Sequence, residues 1–467
     1  MRAVEPNDFL FLLLERRQQP MHVAGLQLFS IPEGESDTWV HALVDQARAH
    51  NRPLAPFNKR IVSHLGVPFW KEDEHLDLGL HLRHWALPQP GRIRELLSNL
   101  SSQHSVAMDR DRPLWECHII EGLSERRFAV YTKVHHALMD GISVMRLGVQ
   151  SLSTDAGERD MAPFWARKRK RNLRSAEANV EYYTTLAKNY ASAVPKAVRE
   201  ALSISLRARK VPESVPMFGA PASVLNGKIT GSRRVAAQSY GLDRVRALAR
   251  SVRCTVNDIV LTVCAGALRR YLGAQGALPD KPLIAMVPMS LRKDDSMGGN
   301  QFALILANLG THLADPADRL RVITDSVREA RKRYQSMTHE EASALSALIV
   351  SPFLLGLATG ITPRNLPFNV VISNVPGPPK PLYWNGARLE GLYPLSIVLD
   401  HNALNITLTS YRNSLEFGIV GCRRTLPSMQ RLLKDIDASI EELELAFQVG
   451  HHAPALPRSL VLDSPAV

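Results

Sequence analysis

At 467 residues, with 45% apolar and 22% charged side chains, the chain is too long for one core and too apolar for extended disorder, so two large globular domains are expected. A formal net charge of +12 favours a polyanionic partner such as nucleic acid, an anionic membrane or a phosphate-bearing ligand. Twelve Lys/Arg against three Glu between Met161 and Lys210 place +9 of that charge in one segment, and the remainder is nearly balanced.

Near the N-terminus, "FLFLLL" is six apolar residues ahead of Glu15, too short for the hydrophobic region of an export signal. Cys117, Cys254, Cys264 and Cys422 are scattered without metal or redox spacing, which suits a reducing cytoplasm. "MHVAGLQLFSI" alternates as a strand, "TWVHALVDQARAH" has helical spacing and "RFAVYTKV" alternates again, so residues 1–160 read as an α/β domain. Residues 161–220 read as a basic helical linker and crossover. Within it Tyr183, Leu186, Tyr190, Val194, Val198, Leu202 and Leu206 mark one apolar helix face, interrupted by Pro195, with Lys188, Lys196 and Arg199 off it. Packing of that face on the body is favoured, and docking on a membrane surface is the alternative.

Residues 221–449 read as a second domain. "SRRVAAQSYGL", "LIAMVPMSLR" and "PFNVVISNVPGPP" read as strands, "TVNDIVLTVCAGALRRYL" as a helix capped by Thr255, and "NALNITLTSYRNSLEFGIVG" as a hairpin turning near Arg412-Asn413-Ser414. Ala342 to Ile361 is twenty residues without a charge, about the length that spans a bilayer. Its serines, glycines, Thr359 and Pro352 argue instead for a buried or tunnel-lining helix kinked near Ser351-Pro352. The tail, 450–467, is expected to be loose.

The chemistry concentrates in "KVHHALMDGISV", Lys133 to Val144. Alternation puts Phe128, Val130, Thr132, Val134 and His136 on one, more apolar face and Ala129, Tyr131, Lys133 and His135 on the other. His136 thus inherits the face that would line an apolar cavity, where a neutral imidazole can take a proton from a hydroxyl, thiol or amine. Asp140, beside the permissive Gly141, has three readings: it orients an imidazole as in a triad, braces the turn through a distant arginine, or caps the helix that follows. A metal site of two histidines and an aspartate is disfavoured, because adjacent strand histidines diverge. No G-x-S-x-G elbow, P-loop or G-x-G-x-x-G follows a strand, which leaves direct attack on a substrate assisted by a base.

HHxxxDG at a strand end, followed by a second α/β domain, resembles the acyl-CoA-dependent acyltransferases that include chloramphenicol acetyltransferase and peptide-synthetase condensation domains. Within that superfamily the chain is similar to the bacterial wax ester synthase/acyl-CoA:diacylglycerol acyltransferases. The similarity rests on "NDFLFLLLERRQQPMHVAGLQLF", "DRPLWE", "HHALMDG", "VNDIVL", "VPMSLR", "GGNQ" and "VISNVPGP", in order across nearly the whole chain.

The resemblance implies a mixed α/β fold of two chloramphenicol-acetyltransferase-like domains in a pseudo-dimer with a tunnel between them. Acyl-CoA and a fatty alcohol or diacylglycerol would meet there at His136, the general base, with His135 supporting it and Asp140 mainly structural. Asn257 is a candidate oxyanion donor or brace, and Asp258 a helix-end residue. Pro113, Leu114 and Trp115 are expected to pack, Asn374 to Pro378 to turn near the tunnel, and Arg292 to partner Asp140. Leu355, Gly356 and Ala358 are candidate tunnel lining. No metal, redox cofactor or nucleic acid is implied, whereas peripheral contact with a membrane or lipid inclusion is compatible. The expected activity is long-chain O-acyl transfer. The alternatives are acylation of a polyketide, peptide or glycolipid hydroxyl, and a non-catalytic coat for lipid inclusions.

Overall fold

The computed structural model describes residues 2–168 and 195–449, apart from 37, 65, 197, 205, 207–214, 291–301 and 360–364. The alternating stretches form strands that sort into two six-stranded sheets and a three-stranded one, with helices packed on them. The first sheet runs Tyr383–Trp384, Ala387–Leu395, His22–Ser30, Arg127–His135, Trp115–Leu123, Leu82–Ala86. His22–Ser30 pairs antiparallel with Arg127–His135 in a register that sets His22 opposite His135. The second sheet runs Phe302–Asn308, Ile284–Ser290, Val370–Val375, Leu404–Tyr411, Ser414–Cys422, Arg233–Gly241. Its hairpin turns at Arg412-Asn413, with Arg412 at φ 52°.

One strand lies where the expected division at 221 would not put it. Ala387–Leu395 belongs to the first sheet, antiparallel to His22–Ser30. Its side chains alternate between two cores: Leu389 and Leu392 join Phe29, Phe128 and Trp115, while Tyr393 and Leu395 join the larger core with Val235, Ile406 and Ile419. The same division applies to Arg127–His135, where Phe128 and Val130 face the first core and Ala129 and Tyr131 the second. Both faces of that strand are therefore buried, the polar-parity one included.

One other expectation is corrected. In the linker, residues 198–204 are helical, but Val198, Leu202 and Leu206 are exposed while Ala201 and Ile204 are buried. The buried face is thus offset from the one the spacing marked, and Arg333 and Glu341 of the body pair with Glu200 and Lys196 there. Tyr183, Leu186, Lys188, Tyr190 and Val194 lie outside the described residues. The helix His339–Thr359 runs through Ser351-Pro352, where a kink was expected. Proline has no N–H to give the Leu348 carbonyl, and the Ser351 hydroxyl bonds that carbonyl instead, at 2.8 Å. Among the described residues no single helix is long and apolar enough to cross a membrane.

The two sheets touch at Gly418, where a Cβ would stand 1.9 Å from the Pro394 carbonyl oxygen of the crossing strand. Neither backbone can give way without shifting a sheet. Gly418→Val is expected to cost about 2 kcal/mol or more in urea unfolding. Gly273→Ala, at a helix end with nothing within 4 Å, should leave stability equal or slightly raised.

Candidate active site

The strand Arg127–His135 ends at the first histidine, and the next residue begins a turn. Two backbone bonds fix the transition: the His135 N–H donates to Leu114 O (3.0 Å) and the His136 N–H to Met21 O (2.8 Å). Leu114 and Trp115 are wholly buried. Trp115 donates to Phe57 O at 2.8 Å and stacks on His81 and Trp165, and Pro113 is buried beside them. These three residues pack, and Leu114 also aligns the histidine pair.

His135 is fully buried. Its Nδ1 accepts from the Ala137 N–H at 3.0 Å, which puts the ring proton on Nε2, 3.4 Å from the Glu15 carboxylate. Glu15 also accepts from the Met21 N–H (3.0 Å) and the Arg110 guanidinium (2.9 Å). Burial opposes its charge, but His135, Met21 and Arg110 together outweigh it and hold the carboxyl at about 2. Nδ1 of His135 thus holds the turn, while Nε2 faces the Glu15 carboxylate without a hydrogen bond among the described residues.

A buried charge pair braces the same strand. Lys133 Nζ lies 3.2 Å from Glu116 of "DRPLWE" and donates to Val106 O at 3.2 Å. His118 stands 3.1 Å from the same carboxylate. Burial disfavours the Glu116 charge, yet His118 and Lys133 bring its pKa down to about 2.

His136 differs from its neighbour. It retains partial exposure, and its ring stacks on Phe11 with centroids 3.9 Å apart at 17°. Burial lowers its pKa to about 4, with the Asp140 charge acting the other way. The imidazole is neutral near pH 7. Asp140 caps the helix Gly141–Gln150, accepting from the Ser143 N–H at 2.7 Å, and Gly141 is the first residue of that helix. Of the three readings the capping one has its bond here, and Asp140 reaches His136 through charge. Arg292 lies outside the described residues. Asp8, one helical turn before Phe11, is pushed up to about 7 by burial first and then by Glu5 and Asp140, which places it by the same turn.

Across the second domain, Thr255 and Asp258 form a reciprocal capping box on the helix Val256–Gly273, the helix-end role expected of Asp258. Asn257 stands beside it, its Oδ1 accepting from Asn374 Nδ2 at 3.4 Å. That bond orients the Asn257 amide so that its own N–H groups remain to donate. The Pro/Gly turn after Asn374 is pinned to the next strand, for a Cβ on Gly377 would lie 1.9 Å from Ser410 O. No contact among the described residues joins the Asn257–Asn374 pair to His136.

The helix Pro6–Leu14, which carries Phe11, lies against the apolar helix His339–Thr359. In the latter, Leu345 and Ile349 line a small cavity of about 30 Å³ with Met217 and Leu306. Gly356 is buried, whereas the side chains of Leu355 and Ala358 lie outside the described ones. On the His136-parity face of the first sheet, Val130, Thr132, Met145 and Trp165 border another cavity of about 40 Å³. Among the described residues, side chains converge closely enough to hold a metal ion at His41, His84 and Glu121, a group that includes none of the HHALMDG residues.

Glu15, Phe11 and Asp8 are the residues that sequence reasoning did not assign. Their one signal was membership of the quoted motifs.

Known proteins match this chain along nearly its whole length. The wax ester synthase/diacylglycerol acyltransferase catalytic domain matches residues 4–260, and the C-terminal domain of that family matches residues 298–444. The O-acyltransferase WSD of Acinetobacter baylyi is 48% identical over 449 residues, 95% of this chain and 97% of its own. A putative diacylglycerol O-acyltransferase of Mycobacterium tuberculosis is 46% identical over 450 residues, covering 95% and 99%. The solved wax ester synthase/diacylglycerol acyltransferase of Marinobacter aquaeolei matches with a TM-score of 0.80 at 48% identity, over 96% of this chain and all of that one. The first condensation domain of the calcium-dependent antibiotic synthetase shares the fold alone, with a TM-score of 0.59 at 15% identity over 96% of each chain.

Because Glu15 titrates below its ordinary 4.5, the stability it contributes is complete above about pH 4.5 and is lost as pH falls toward about 2. Glu15→Gln is expected to destabilise the fold by roughly 2 kcal/mol at pH 7 in urea titrations. The penalty should shrink across that acid window, and a constant difference from pH 7 to pH 3 would contradict the ion pairing.

Proposed function

The chain belongs to the wax ester synthase/diacylglycerol acyltransferase family, and from that premise we propose that it transfers a long-chain acyl group from CoA to a fatty alcohol, to diacylglycerol, or to both. The observation that carries the residue assignment is the contrast between the two histidines. His135 is fully buried, its Nδ1 accepting from the Ala137 N–H and its Nε2 facing the Glu15 carboxylate at 3.4 Å, whereas His136 is neutral, partly exposed and stacked on Phe11. His136 is the general base: its free nitrogen takes the acceptor hydroxyl proton as the oxygen attacks the thioester carbonyl. Collapse of the tetrahedral intermediate breaks the C–S bond, and the imidazolium returns the proton to the departing thiolate. Atoms and charge balance without any change of oxidation state, so the step needs neither metal nor redox cofactor.

A pKa of about 4 makes a weak resting base, yet the oxyanion forming beside the ring raises its proton affinity as the reaction proceeds. Asn257, oriented by Asn374, is the proposed donor to that oxyanion. Support for direct attack comes from the thiols. Burial pushes Cys117 and Cys264 up to about 12 and Cys254 up to about 11. Cys422, though lowered to about 7, is wholly buried, so an acyl-cysteine intermediate has no reachable thiolate.

Purified protein with palmitoyl-CoA and hexadecanol or dioleoylglycerol is expected to form ester. His136→Ala should lower kcat by about 10²- to 10⁴-fold without unfolding, and full ester formation by that variant would reject the assignment. Since His136 protonates only near pH 4, the acid limb of kcat/KM should lie well below 6.5. A limb centred at 6.5 would mean that another group is the base.

The tunnel reading rests on the apolar helix His339–Thr359 beside the Phe11 helix. Filling the space at buried Gly356 with leucine is expected to shift acyl preference toward shorter chains by about tenfold in relative kcat/KM, measured with a C10 to C18 acyl-CoA series. An unchanged profile would remove this helix from the chain-binding path.

A further inference from the structure

A cavity of about 490 Å³ opens where the helix Ile93–Gln103 of the first half meets Arg233–Gly241, the edge strand of the second sheet. Four arginines line it, Arg94, Arg233, Arg234 and Arg423, together with five serines and no carboxylate. Elsewhere the chain's arginines find acids readily: Arg244 pairs with Glu444 and Asp437, and Arg319 with Glu442. Among the described residues Arg94, Arg234 and Arg423 have no recorded ion pair. Arg234 has its pKa lowered by burial and then by repulsion from Arg423, so like charges are held together here.

The wall is built rather than incidental. Arg233 is buried, and its guanidinium donates to two neutral carbonyls, those of Thr230 and Gln18. The Ser101 and Ser105 hydroxyls accept from the Val235 and Arg233 N–H groups at 2.9 and 2.8 Å, locking the helix to the strand. Ser98 and Ser102, one turn apart on the helix, and Ser232 have hydroxyls without a recorded bond among the described residues. Guanidinium groups with nearby hydroxyls match the oxygens of a phosphate ester. Arg233 of this wall also holds the Gln18 carbonyl, three residues along the chain from Glu15, whose carboxylate faces His135.

We propose that this cavity holds the phosphate groups of the acyl donor, the 3′-phosphoadenosine diphosphate end of CoA. The assignment rests on the acyl-CoA reading above and names where that donor is gripped. Potential alone favours any anion; the match to CoA lies in several phosphates on one ligand meeting several unpaired guanidiniums.

The test is calorimetric titration of the full chain with CoA, adenosine 3′,5′-bisphosphate and inorganic phosphate, alongside flotation with phosphatidylglycerol vesicles. CoA and the bisphosphate are expected to compete for one site, weakening with salt. Arg234→Ala and Arg423→Ala should each raise the CoA Kd by about tenfold. With palmitoyl-CoA the same variants should raise KM by a similar factor, and that rise should be absent for palmitoyl-pantetheine, which lacks the phosphates. An unchanged CoA Kd in the double variant, with a wild-type melting temperature, overturns the proposal. So does arginine-dependent binding of inorganic phosphate or of vesicles that CoA does not displace, since the site would then serve a free ion or a lipid headgroup. Binding is read without turnover, so arginine-dependent CoA affinity in a protein that forms no ester would support the cavity while refuting the proposed acceptor.

Discussion

The pairing of Ala387–Leu395 with His22–Ser30 is the constraint on which the rest of the molecule depends. His22–Ser30 is the strand that fixes Arg127–His135, and through it the histidine turn. A strand contributed from beyond residue 380 therefore completes the sheet that holds chemistry near residue 135. The junction is reinforced by a buried polar link: the Tyr393 hydroxyl bonds Ser239 at 2.9 Å, and Ser239 bonds Glu416 of the second sheet. Burial pushes the Glu416 carboxyl up to about 7, so a neutral or singly shared proton there is easier to hold than a bare charge. With Gly418 against Pro394, the two halves cannot separate without breaking a sheet, and any ligand path between them keeps a constant frame.

Buried charge does the local positioning. Glu15 with His135 and Glu116 with Lys133 lie on the same face of one strand. Such pairs are poor sources of net stability, because desolvation offsets most of their attraction. Losing one partner is costly, however, and that cost restricts the strand end to one arrangement. The result is a division of labour between neighbours. His135 spends its hydrogen-bonding capacity on structure, and the next residue is left with a neutral ring against an aromatic face.

Local pattern carried much of this architecture. The strands at His22–Ser30, Arg127–His135 and Arg233–Gly241, the hairpin at Arg412-Asn413 and the Thr255 cap all follow from alternation, turn chemistry and capping, which act within a few residues. What pattern missed was non-local or charged. Nothing within Ala387–Leu395 announces that it pairs with a strand some 360 residues earlier in the chain. Glu15 and Glu116 adjoin apolar runs, where a carboxylate reads as a solvated boundary; only the fold brings Arg110, His135, His118 and Lys133 to them. The exposed Val198, Leu202 and Leu206 show the same limit, since helical spacing finds an apolar face but not the body that covers it.

Asp140 shows how one carboxylate can serve a helix end and still act on a histidine through charge. A carboxylate that follows a histidine by four residues has the right chemistry to orient an imidazole, but the Gly141–Gln150 helix needs an acceptor for its first N–H groups and takes this one. The Asp140 charge still matters to His136, because it partly offsets the burial that lowers the ring's pKa. Stacking on Phe11 and a hydrogen bond to its own backbone orient the ring beside this charge.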